Sequence, residues 1–127
     1  MFVININPEK GRFHSIKLGI KEAINDSLVF LQNVDNPFVD NKTLELLKNE
    51  ICDAEYAIPV FEGNSGHPIL LSAKVANAII QNQKNNPNLR NVLKSFLRCE
   101  VKVNDPGILV NINTPEEYSQ HFLTRTN

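Results

Sequence analysis

Three short stretches of the chain carry residues whose types and spacing could do chemistry. "NVDNP" ends an apolar run with Asp35, "GNSGHPILL" gathers Gly63, Gly66 and His67, and "VNINTPEEY" sets Asn111 and Asn113 just ahead of a helix start. One carboxylate with carbonyl oxygens nearby suits a hard cation such as Mg²⁺, which takes one or two protein carboxylates together with phosphates and water. The competing role for Asp35 is an Asx-turn ahead of Pro37. His67 either hydrogen-bonds a nucleobase or phosphate, or caps a helix entry. Gly63 and Gly66 permit a sharp turn or a close approach of backbone to ligand.

Other site types are excluded by pattern. No G-x-x-x-x-G-K-[ST] phosphate loop occurs, and Lys74 lies too far down the following helix to serve one. His14, His67 and His121 are too dispersed for a zinc site. "GNSG" is only loosely like a nucleophile elbow, and Ser65 has no evident histidine and acid partner. Cys52 and Cys99 are too few for a disulfide framework and are expected as reduced, packed thiols.

The elements that must position these residues alternate. "FVINI" (Phe2 to Ile6) reads as a first strand, and Ile16, Ile20, Ala23 and Ile24 mark one face of the next helix. "LVFLQNV" (Leu28 to Val34) has the continuous apolar pattern of a strand buried on both sides. Asp40 or Asn41 caps a helix carrying Leu44, Leu47 and Ile51. "YAIPVFE" (Tyr56 to Glu62) is a strand in which Pro59 implies an edge or a bulge. The glycine loop then leads into a helix with Ile69, Ala73, Ala76 and Ile80 on one face.

Leu89, Val92, Leu93 and Phe96 mark a further helix, and "CEVKV" an exposed strand. "NDPG" is expected as a type II turn, and "ILVNI" as a fifth strand. Thr114, Pro115 and Glu117 spell the start of a last helix: a cap, a proline at the first position and a capping box. Strands alternating with helices predict an α/β sandwich, with ligands at the carboxyl ends of strands.

The totals agree with one globular domain. The chain has 127 residues, 42% hydrophobic and 21% charged, and a formal net charge of −1. No Lys/Arg run points to nucleic acid, and no apolar run is long enough to span a bilayer. The N-terminus lacks the pattern of a signal peptide, so a cytoplasmic location is expected.

Taken together and in this order, "NVDNPFVDNKTLELL", "PVFEGNSGHPILLSAKV" and "VNINTPEEY" resemble the MobA-like nucleotidyltransferases, the molybdenum-cofactor guanylyl- and cytidylyltransferase group. Asp35 and Pro37 match the family's "aDqP", "FEGNSGHPILL" its "y.G..GHPvlf", and "NINTPEEY" its "DiDTPeDy". "NPEKGRFHSIKLGI" is similar to an earlier family segment. The resemblance implies a partial nucleotide-diphospho-sugar transferase (glycosyltransferase-A-like) fold, a mixed sheet flanked by helices. Residues 1–127 would form a single domain matching the C-terminal two-thirds of a family member.

It further implies transfer of a nucleotidyl group from CTP or GTP to a phosphorylated acceptor such as molybdopterin. Asp35 would hold Mg²⁺, with Asn111 or Asn113 where the family has a second metal-binding acid. Gly66 and His67 would line the acceptor side, Gly63 would bind ligand in the same loop, and Ser15 would lie near the nucleotide. The chain departs from the family twice. It has no "LAAGxSxRMGxxK" triphosphate loop, and both aspartates of "DiD" are asparagines.

The family strand absent here lies beside the one matching "LVFLQNV", so an apolar edge is expected to be open. Either "FVINI" moves into the gap, or the chain pairs with a second copy or with a complementing segment. The alternative to an enzyme is a non-catalytic remnant that binds a ligand or partner, or that oligomerises.

Overall fold

The computed structural model describes Ile4 and residues 6–23, 28–83 and 88–125. The described elements are a 3₁₀ turn (Pro8–Lys10), α1 (Arg12–Ala23), β1 (Val29–Leu31), α2 (Asn41–Glu50), β2 (Tyr56–Phe61), β3 (Asn64–Ser65), β4 (Ile69–Leu71), α3 (Ala73–Gln81), α4 (Leu89–Leu93), β5 (Arg98–Lys102), a second 3₁₀ turn (Pro106–Leu109) and α5 (Pro115–Arg125). The predicted strand at Phe2 to Ile6 lies largely outside the described residues; within it, Ile4 and Ile6 are exposed and not in a strand. Among the described residues, no helix is long and apolar enough to cross a membrane.

The sheet is mixed. β4 runs antiparallel to β1 on one side and to β2 on the other, and β5 lies parallel to β2 on its far edge. Period-two alternation places successive side chains on opposite faces, and here both faces are covered. Tyr56, Ile69 and Leu71 point into a cluster with Phe13, Ile20, Val75, Ala76, Ile79 and Leu93, from α1, α3 and α4. Ala57, Leu70 and Val101 point the other way, against Leu47 and Ile51 at the α2 end. Side-chain caps set the helix starts: Asp40 for α2, Ser72 for α3 and Asn88 for α4.

Several expectations are corrected. "GNSGHPILL" is not a strand-to-helix turn. Glu62 and Gly63, with φ of 48° and 81°, form a two-residue hairpin turn from which the chain returns antiparallel as β3 and β4. Positive φ at both central residues matches the twist of the flanking strands. Ile69 therefore belongs to a strand, and the helix starts only at Ala73.

Pro59 is neither at an edge nor exposed, since β2 has neighbours on both sides of it. It sits where the returning strand bulges: Ile58 and Pro59 of β2 face the four residues 66–69, between the Ala57↔Leu70 and Val60↔Ser65 pairs. Proline offers no N–H to continue the ladder there, while its carbonyl still accepts the N–H of Gly66 at 3.0 Å.

The run "LVFLQNV" forms strand only over Val29–Leu31, and it is not buried on both sides. Its sole sheet partner among the described residues is β4, and Leu28 and Phe30 are partly exposed. An apolar run cannot distinguish an inner strand from an edge one, because both use the same β-branched and aromatic residues.

"ILVNI" is not a strand. The segment from Pro106 makes a 3₁₀ turn and then runs as irregular chain, its backbone groups paired with the Asn36 side chain and with single backbone groups of His67 and Asp35 instead of a ladder. Gly107 has no positive φ, so the turn is not type II. Cys99 is half-buried but Cys52 is exposed, so only one of the two thiols is packed.

Candidate functional site

The bulge in the returning strand sets the geometry. Extra residues in one strand bend it and re-aim a side chain. Here they turn the His67 backbone toward the 3₁₀ turn, where its N–H donates to the Ile108 carbonyl at 3.2 Å. Gly66 lies so close to that turn that a Cβ would stand 2.3 Å from the Ile108 oxygen. Only glycine fits there.

The loop after β1 reaches the same turn from the other side. Asn36, 1% exposed, donates its side-chain amide to the carbonyls of Gly107, Ile108 and Val110. Its own oxygens accept from the Gln32 amide. The neighbouring Asp35 carbonyl accepts the Ile112 N–H at 2.6 Å. Asp105 completes the strap: its buried carboxylate accepts the Gly107 and Asp40 N–H groups and the Thr43 hydroxyl. A Cβ on Gly107 would stand 1.8 Å from the Phe38 carbonyl oxygen. Phe38 in turn packs against the rings of His121 and Phe122 of α5 in tilted geometry, with ring centroids 5.7 and 4.7 Å away.

The Asp35 loop, the Gly66–His67 bulge and the segment 107–112 thus meet at one place. Asn111 and Asn113 flank Ile112 and are exposed. Glu117 donates its backbone N–H to the Thr114 hydroxyl, as a capping box requires, while its carboxylate accepts the Asn113 N–H at 2.6 Å in place of that of Thr114. Gly63 does not join this group; it is the exposed tip of the hairpin. Ser15 is exposed on α1, its N–H turned to the Gly11 carbonyl.

On the α1 and α4 face of the sheet, His67 lines a cavity of about 1010 Å³. Phe13, Ile16, Ile58 and Leu93 form its apolar wall, and Lys10, Arg12, Arg90, Lys94 and Arg98 its charged rim. Arg98 donates to the Ser65 hydroxyl and pairs with Glu100 at 2.9 Å. Arg12 donates to the Asn33 side chain at 2.7 Å, tying α1 to the loop that carries Asp35.

Burial pushes the His67 pKa down, the Arg12 guanidinium pushes it further, and the Asp35 carboxylate opposes both. His67 is therefore neutral at pH 7. Its Nδ1 is buried and has no hydrogen-bond partner among the described residues.

Sequence reasoning missed Asn36, Asp105 and the five cations. A buried asparagine has no periodic signature, and the cations come from three separate segments. For Mg²⁺, the available donors are the Asp35 carboxylate and the Asn111 and Asn113 amide oxygens. No three His, Cys, Asp or Glu cluster among the described residues. Such a set fits a cation shared with substrate phosphates, not one enclosed by protein alone.

The mixed sheet, its helices and the hairpin bulge correspond to a nucleotidyltransferase fold. A homologue of Mycobacterium tuberculosis Rv0371c from Mycobacterium sp. strain JC1 superposes with a TM-score of 0.70 at 16% identity, over 89% of this chain and 59% of that one. Rv0371c from Mycobacterium tuberculosis H37Rv gives 0.69 at 17%, over 93% and 60%. Molybdopterin-guanine dinucleotide biosynthesis protein A from Archaeoglobus fulgidus gives 0.61 at 18%, over 92% and 64%. The chain thus spans about three-fifths of the length of these solved structures. No curated protein sequence matches it. The MobA-like NTP transferase domain family matches residues 1–102, and the chain belongs to that family.

Proposed function

We propose that this nucleotidyltransferase-like chain takes part in moving a nucleotidyl group from CTP or GTP to a phosphorylated acceptor such as molybdopterin. The observation that carries this reading is the meeting of the Asp35 loop, the His67 bulge and the 107–112 segment, with His67 also lining a cationic cavity that Asp35, Asn111 and Asn113 do not line. Asp35 would hold Mg²⁺ with help from Asn111 and Asn113, and the metal would supply charge neutralisation at the phosphates. Neutral His67 would orient the acceptor by hydrogen bonding. The cavity cations would hold the acceptor's anionic group and exclude water with the apolar wall. A second copy of the chain, or a complementing segment, would complete the triphosphate side.

The test is transfer of label from α-labelled CTP or GTP to molybdopterin with Mg²⁺. Asp35→Asn should lower the rate on the order of a hundredfold or more while unfolding normally in urea. Transfer that survives this substitution would remove Asp35 from the reaction.

A second reading, a non-catalytic ligand-binding domain, is favoured by Asn111 and Asn113. Asparagine brings no negative charge to a metal. Ligand binding without Mg²⁺ dependence and without label transfer would select it.

A further inference from the structure

Cys52 and Cys99 are far apart in sequence, and the fold brings them to one place. Cys52 follows the end of α2, and Cys99 stands in β5. The Cys52 thiol donates to the Asn49 carbonyl at 3.5 Å, and the Cys99 thiol donates to the Glu50 carbonyl at 3.4 Å. Asn49 and Glu50 are consecutive residues in the last turn of α2, where neighbouring carbonyls stand within about 4 Å of each other. The two sulfurs therefore rest on adjoining groups of one helix end. Cys99 also packs against the cluster that contains Ile51, the residue next to Cys52. The electrostatics agree. Burial pushes the Cys99 thiol pKa up, and the Glu50 carboxylate and Cys52 push it further, which distant groups could not do.

Both thiols are free, and they are differently placed: Cys52 is exposed and Cys99 half-buried. Cys52 also has a φ of 41°, in the left-handed region, directly after the Ile51 cap of α2. Glycine is the usual residue at that position, because a Cβ there crowds the backbone. A cysteine is less stable there than glycine would be, and what it adds is an exposed thiol beside a second one. Neither cysteine lines the cavity, so the functional reading above uses neither.

We propose that Cys52 and Cys99 form a redox pair that closes to an intramolecular disulfide between the end of α2 and β5 when it meets a disulfide oxidant such as glutathione disulfide. Cys52, the accessible thiol, loses its proton and attacks one sulfur of the oxidant. The oxidant's S–S bond breaks, one glutathione leaves as thiolate, and Cys52 carries the other. The Cys99 thiolate then attacks the Cys52 sulfur, the new S–S bond forms, and the second glutathione leaves. Two cysteine thiols are oxidised, one glutathione disulfide is reduced to two glutathiones, and the two protons end on the leaving thiolates. The exposed Cys52 side chain makes the approach by turning from the Asn49 carbonyl toward Cys99, at a helix end where the backbone adjusts most readily. The bond staples α2 to β5, whose sole sheet partner among the described residues is β2.

The test equilibrates the full chain, folded and in unfolding urea, with mixtures of reduced and oxidised glutathione. Products are read by intact mass and by proteolytic mapping after the remaining thiols are blocked. The folded chain should lose two hydrogens without an adduct, yield a peptide joining Cys52 to Cys99, and regain both thiols with dithiothreitol. The effective concentration of the pair, measured against glutathione, should be at least about tenfold higher in the folded chain than in urea. Cys99→Ser should stop at one glutathione on Cys52. Cys52→Gly should form no bond, and a urea midpoint no lower than that of the parent chain confirms that it folds.

A folded chain that holds glutathione on Cys52 while Cys99 stays free, that forms disulfide-linked dimers instead, or that keeps both thiols would overturn the proposal. An effective concentration below the tenfold margin would also overturn it, because the closure would then owe little to the fold.

Discussion

Two regions meet at His67, and they are built on opposite rules. The strap of Asp35–Asn36, Asp105 and residues 107–112 is compact, and its key polar groups, Asn36 and Asp105, are buried, with partners that are mostly backbone groups. The cavity beside it is open, its cations exposed and mostly without acidic partners among the described residues. The strap's buried residues Asn36, Asp105 and Gly107 are committed to their neighbours, so changing them should damage the fold. Of the cavity's cations, Arg90 and Lys94 have no acidic partner among the described residues, so changing them should damage binding with little effect on the fold.

That contrast can be broken or sharpened by measurement. The largest effect is expected at Gly107→Ala, where the new Cβ would overlap the Phe38 carbonyl. Overpacking against backbone cannot relax by a rotamer change, so urea unfolding should show a loss of about 3 kcal/mol or more. Next comes Asn36→Ala, which strips donors from three carbonyls and should cost about 2–3 kcal/mol by the same method. Asn36→Asp should be at least as damaging, because it sets an anion against those oxygens.

Arg90→Gln/Lys94→Gln should shift stability by no more than about 0.5 kcal/mol, in the stabilising direction if repulsion is relieved. A loss as large as that of Asn36→Ala would erase the distinction between the two regions. The smallest effect concerns His67. Its pKa in the folded chain lies below that of the unfolded chain, so the unfolded state binds the proton more readily. Folding stability should therefore decrease as pH falls from neutral through the unfolded pKa of about 6.5 toward the folded value. His67→Gln should flatten that part of the profile.

The architecture was legible where signals are local. Asp40, one of the two residues expected, caps α2, and Thr114 with Pro115 opens α5. The motif around Asp35, Gly66 and His67 led to the family, because those residues answer to backbone demands written in neighbouring positions. Gly66 is the clearest: the close approach allowed for in the sequence occurs, against Ile108. The failures share another cause. The segment 108–112 has the composition of a strand, yet Asn36 and Asp105, some 70 residues apart, claim the backbone around it. A side chain arriving from so far away leaves no periodicity in the segment it captures.

The order of types along the chain was enough to determine an α/β domain, its caps and its family, since propensity, capping and turn chemistry act between near neighbours. Only the folded chain decided that "GHP" would be a bulge, and that Lys10, Arg12, Arg90, Lys94 and Arg98 would share one cavity. Charge in a sequence with a net of −1 looks evenly spread. Coulomb interaction depends on distance through space, and that distance is set by how α1, α4 and β5 pack.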